Sequence, residues 1–93
     1  MRIRDRTWSD YGITRERVRE LKKYCRSAID TSLIEEAARR ANKPIVKELV
    51  DGLTRGLSYS KLTIDGYVPI GQKDFYGYKK YTLSILNDLL LQP

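Results

Sequence analysis

The chain has 93 residues, with 18 Lys and Arg against 12 Asp and Glu, a formal net charge of +6, one cysteine and no histidine. That length makes one domain, residues 1–93, with a modest core. A lone Cys without His leaves no credible zinc ligand set and removes Ser-His-Asp and Cys-His nucleophile systems.

Other function classes fall away for similar reasons. The glycines are scattered, so no phosphate-cradling loop forms, and no carboxylate pair has a spacing that implies shared chemistry. The expectation is a protein that is not an enzyme, with no metal and no cofactor. Cys25 cannot form an internal disulfide, which suits a reducing compartment. No apolar run follows Met-Arg-Ile-Arg-Asp-Arg, and no stretch approaches a membrane span, so the expected location is cytoplasmic, with no membrane partner. The positive balance suits a polyanion, nucleic acid being the usual one, and composition gives a merely basic soluble domain equal weight. Residues 1–27 carry nine basic and four acidic side chains, residues 28–54 four and five, and residues 55–93 five and three. The two ends are basic and the middle is not.

In chain order, residues 1–13 read as a basic, irregular arm. Trp8 reads better as a packing anchor than as a ligand contact, because a lone Trp covers a large area wherever it docks. Arg2, Arg4 and Arg6 can alternatively follow a phosphate backbone. A helix is predicted from near Thr14, an N-cap residue, with Ile13 and Val18 as a hydrophobic staple. Val18, Leu21, Cys25 and Ala28 recur at helical spacing, which makes Cys25 a small buried hydrophobe. A second helix opens at Ser32 and Glu35, with Asp30 and Thr31 as further caps, and buries Ile34, Ala37, Ala38 and Ala41. A third runs from about Pro44 to Arg55. Ile45, Val46, Leu49, Val50 and Leu53 give it the strongest apolar stripe, so it is expected to be the central helix. Gly56 ends it, and Ser58 caps a short fourth helix from Tyr59 to Leu62.

Thr63 to Ile70 has two readings. Asp65-Gly66 between Thr63-Ile64 and Tyr67-Val68 signals a small β-hairpin at about 63–68, and an irregular loop is the alternative. A long last helix starts near Gly71 or Gln72 and ends at about Leu90. Phe75, Tyr78, Thr82, Ile85, Leu86 and Leu89 line one side of it. Gln72, Lys73, Tyr76, Lys79 and Lys80 lie toward the other. Leu83 and Leu90 fall off the stripe and either cover the first helix or form a homodimer contact.

Residues 44–86 resemble the helix-turn-helix of sigma-factor region four and of sigma-like phage regulators. Gly56-Leu57-Ser58-Tyr59 is similar to the turn that follows the family's scaffold helix. Tyr59 to Leu62 matches its short helix, and Pro69-Ile70-Gly71 leads into a recognition helix at Gln72. Asp74-Phe75-Tyr76-Gly77-Tyr78-Lys79-Lys80 is also similar to the aromatic and basic C-terminal helix of late-gene transcription regulators from phages of Gram-positive bacteria. The link from Leu62 to Ile70 is longer than the family's.

The resemblance implies an all-α fold, a compact bundle of four to five helices with a variant helix-turn-helix over residues 44–90, that binds double-stranded DNA. In that role Gln72 and Lys73 would read base edges, and Tyr76, Lys79 and Lys80 would hold the backbone. The competing expectation is a small helical interaction or assembly module that binds no nucleic acid.

Overall fold

Thr14 opens helix α1 (Arg15–Ser27) as its side chain predicts: Oγ1 accepts a hydrogen bond from the N–H of Arg17 at 3.2 Å. That satisfies one of the donors a helix start leaves without an intrahelical partner. Ile13 and Val18 bury together in the cluster that also takes Leu21 and Cys25, so the staple forms. Burial pushes the Cys25 thiol up to about 11, which makes it an unreactive packing group. The computed structural model describes residues 2–92, apart from the Asp65 side chain.

Helix α2 (Ser32–Ala41) starts differently from the expected capping box. Thr31 holds the cap position without a side-chain cap bond, and Ser32 is already helical. The first donor is met from further back, where Asp30 Oδ1 accepts from the N–H of Ser32 at 2.9 Å. Ile34, Ala37 and Ala38 are fully buried, and the two alanines keep that face thin enough for close helix packing. Pro44 lies in a 3-10 turn, Lys43–Ile45, that runs into α3 (Val46–Thr54). Gly56 takes φ 66°, the left-handed conformation that closes a helix, just past the end of α3.

Ser58 then caps α4 (Tyr59–Asp65), its hydroxyl accepting from the N–H of Lys61 at 3.2 Å. This helix runs past Leu62, so Thr63 and Ile64 are helical and the β-hairpin at 63–68 does not form. No strand occurs among the described residues. Asp-Gly marks a helix end as readily as a hairpin turn: the N–H of Gly66 donates to the carbonyl of Leu62 at 3.1 Å. A hairpin with two residues in each arm has little to hold it. Leu62 and Val68 instead bury against Ile45, Leu49 and Phe75.

Helix α5 (Gln72–Leu91) has 20 residues, and it is the central helix, a place the sequence pattern gives to α3. α1, α2, α3, α4 and the N-terminal arm all pack on it. Its buried positions are Phe75, Gly77, Thr82, Leu83, Ser84 and Leu86, which do not form one stripe. A helix enclosed on most sides loses its amphipathic signal. Thr82 and Ser84 bury at little cost because each hydroxyl donates to its own helix, to Tyr78 and Tyr81 carbonyls, both at 2.7 Å. Leu83 and Leu90 pack on the cluster that contains α1 residues, so they cover the first helix. The result is an all-α bundle of five helices. Its Cα radius of gyration is 12.4 Å, against about 12 Å expected for a folded chain of this length.

Two clusters make the core, one around α1, α2 and the later part of α5, the other around α3, α4 and Phe75. Phe75 is fully buried and is the only aromatic ring among the buried residues of the second cluster. Phe75→Ala is expected to cost about 3–5 kcal/mol of stability, read as a lower urea midpoint.

Candidate nucleic-acid interface

The α4–α5 pair is locked by aromatic side chains. Tyr59 begins α4, and its N–H is one of the donors the helix cannot satisfy itself; Tyr76 Oη accepts from it at 3.1 Å. The Tyr59 hydroxyl donates to the carbonyl of Ile70 at 2.7 Å, which ties the link before α5 to the start of α4. The rings of Tyr59 and Phe75 lie 5.7 Å apart, and those of Phe75 and Tyr76 5.8 Å apart. With Val68 buried beneath, residues 66–71 are held at both ends.

This fixes the first two turns of α5. Gln72 and Lys73 are exposed in the first turn, and Tyr76 keeps 39% of its surface exposed. Asp74 is half-buried at the helix start, where a carboxylate suits the helix dipole, and its Oδ1 lies 3.9 Å from Arg4 Nε. Gln72, Lys73, Tyr76 and Lys80 line one shallow groove, closed on the far side by Arg4 and Asp5.

Lys79 and Lys80 are half-buried rather than outward-facing. Lys80 Nζ donates to the carbonyl of Arg6 at 3.0 Å and lies 5.5 Å from the centre of the Trp8 ring. Lys79 Nζ lies 5.3 Å from the centre of the Tyr76 ring and 6.0 Å from that of Phe75. Burial, then the positive charge of Lys22, lowers the pKa of Lys79 below the ordinary lysine value. Lys79 is outside the groove and lines a second cleft, on the α1 side of the helix.

The N-terminal arm is a strap across α5. Ile3–Asp5 forms a 3-10 turn, and the backbone of Arg4 lies directly on Gly77. A Cβ at Gly77 would stand 2.6 Å from Arg4 Cα, so only glycine lets the two backbones approach this closely. Arg2 and Arg4 are exposed, while Arg6 is half-buried with its guanidinium 5.9 Å from the centre of the Tyr11 ring. Trp8 packs against the first core cluster as the arm's anchor. Arg4 and Gly77 are 73 positions apart in sequence, and no pattern in the sequence pairs them.

Sequence reasoning did not connect Lys22 and Arg26 with this region. They stand four residues apart on α1, on one helical face, and line the second cleft with Lys79 and Lys80. Spacing marks the pair, but only the packing of α1 beside α5 brings the four cations together. Among the described residues there is no group of three or more His, Cys, Asp and Glu able to hold a metal ion, and no helix is long and apolar enough to cross a membrane.

Gly77→Ala is expected to lift the arm from α5. The helix itself gains about 1 kcal/mol from the better helix former, so the fold should survive. Limited trypsin digestion should then cut after Arg4 and Arg6 much faster than in the parent protein, with the helical circular dichroism unchanged.

No protein-family model, no curated protein and no solved structure matches the chain.

Proposed function

We propose that the chain is a duplex-DNA-binding transcription regulator of the phage type, with α4 and α5 as its helix-turn-helix and the first turns of α5 as the recognition element. The observation that carries this reading is the aromatic lock between α4 and α5, which holds the exposed Gln72 and Lys73 at the start of a rigid helix. A helix in the major groove offers its N-terminal residues to base edges. Gln72 has the donor and acceptor to pair with adenine, and Lys73 can meet guanine or a phosphate. Tyr76, Lys80 and the exposed Arg2 and Arg4 supply backbone contacts around the same groove. Lys79, seated over the Tyr76 ring, acts on that surface through the field of its charge. A binding role rather than a catalytic one, and a cytoplasmic setting, go with this reading.

A second reading, a helical assembly module, is favoured by two large apolar side chains at the end of α4. Ile64 is 78% exposed and Tyr67 85% exposed. A second copy of the chain packed on them gives a homodimer that sedimentation detects.

Fluorescence anisotropy with a labelled duplex decides between the two. Binding should weaken steeply between roughly 50 and 200 mM salt, in proportion to the phosphates neutralised. Lys73→Ala should lower the slope of log K against log salt by about 1 if it contacts phosphate. Gln72→Ala should reduce discrimination between duplexes by about 1–3 kcal/mol. Absence of duplex binding at the lowest salt, with a concentration-dependent dimer, would sink the DNA reading in favour of assembly.

A further inference from the structure

The second cleft lies between α1, α3 and the first half of α5 and has a volume of about 370 Å³. Lys22 and Arg26 reach it from successive turns of α1, Lys79 and Lys80 from α5. Trp8 and Tyr76 add aromatic surface. No carboxylate lines it. None of the four cations takes part in an ion pair among the described residues, whose four salt bridges use Arg4, Arg17, Arg39 and Arg40.

Three of the four cations have defined neighbours. The Arg26 guanidinium lies against Gly56, in the turn after α3. Lys80 is fixed by its bond to the Arg6 carbonyl and by Trp8. Lys79 is half-buried, and the neighbouring charge of Lys22 disfavours its protonated form. The charges of Lys22 and Lys79 oppose one another across the cleft, and an anion placed between them offsets that repulsion.

Phosphate fits this donor set, because its oxygens accept several charge-assisted hydrogen bonds from ammonium and guanidinium groups. The volume lies in the range of small-molecule sites, about 300–1,000 Å³, which leaves room beyond a bare ion. Trp8 and Tyr76 offer flat apolar surface for whatever the phosphate carries. We propose that this cleft binds a small organic phosphate of the nucleotide class, its phosphate held by Lys22, Arg26, Lys79 and Lys80 and its ring system against Trp8 and Tyr76. The cleft shares Tyr76 and Lys80 with the groove of the DNA reading, while Lys22 and Arg26 line only the cleft and Gln72 and Lys73 only the groove, so variants of these four separate the two.

Isothermal titration calorimetry with the four ribonucleoside monophosphates, with adenosine and with inorganic phosphate tests it. At least one monophosphate should bind, inorganic phosphate should bind more weakly, and adenosine should not bind. Lys22→Ala and Arg26→Ala change exposed side chains and should leave the circular dichroism intact, while each weakens nucleotide binding by roughly tenfold or more. Lys73→Ala should leave nucleotide affinity unchanged even where it weakens duplex binding. Inorganic phosphate binding as tightly as the nucleotides would overturn the nucleotide assignment. Absence of nucleotide binding, with Lys22→Ala and Arg26→Ala weakening duplex binding instead, would overturn the proposal and give the cleft to the duplex surface.

Discussion

Enclosure of α5 is the constraint on which the other contacts depend. Every other helix and the N-terminal arm packs on this one helix, so its middle must be acceptable to neighbours on nearly all sides. Leucine and phenylalanine meet that demand by apolar burial. Thr82 and Ser84 meet it by returning their hydroxyl protons to the helix's own carbonyls, so neither of these two hydroxyls is left without a partner. Gly77 meets it by having no side chain where the arm crosses. Three different solutions on one helix let five elements share it as a platform.

Those same solutions decide how much was legible in the sequence. Helices that bury one face announced themselves: the Ile13, Thr14 and Val18 start of α1, the alanine face of α2 and the Ser58 cap of α4 stand where the residues put them. The rank of α5 was not legible, because threonine, serine and glycine in its buried positions read as polar or neutral and blur the stripe. Asp65-Gly66 was ambiguous for a local reason, since glycine ends a helix as well as it turns a hairpin, and only the burial of Leu62 and Val68 selects between them. For the candidate interface, the exposed start of α5 at Gln72 and Lys73 followed from helical spacing. The inward turn of Lys79 and Lys80 did not, because it depends on the arm and on α1, which lie more than fifty residues away in sequence.

The net positive charge is likewise distributed by structure rather than by composition. On α2, Glu36 bonds both Arg39, at 2.6 Å, and Arg40, at 2.8 Å, so that helix's cations are answered locally. On α1, Arg17 has Glu20 at 3.6 Å and a hydrogen bond to Asn87 at 2.7 Å. The cations around the first half of α5 have mostly aromatic rings and carbonyls for neighbours instead. Rings and carbonyls orient an ammonium group without cancelling its charge. Cations without a carboxylate partner therefore gather around the first half of α5, where both the groove at Gln72 and Lys73 and the cleft beside α1 open.

The strap across Gly77 has a consequence for how the chain acquires its structure. Lys80 bonds to Arg6 across 74 positions of sequence, and Arg17 to Asn87 across 70. Such contacts close loops nearly as long as the chain and bring no reward until both ends are present. During synthesis the arm has no docking surface until α5 has left the ribosome, so its contacts form only once that helix is present. The arm is thus made long before the helix on which it finds its place.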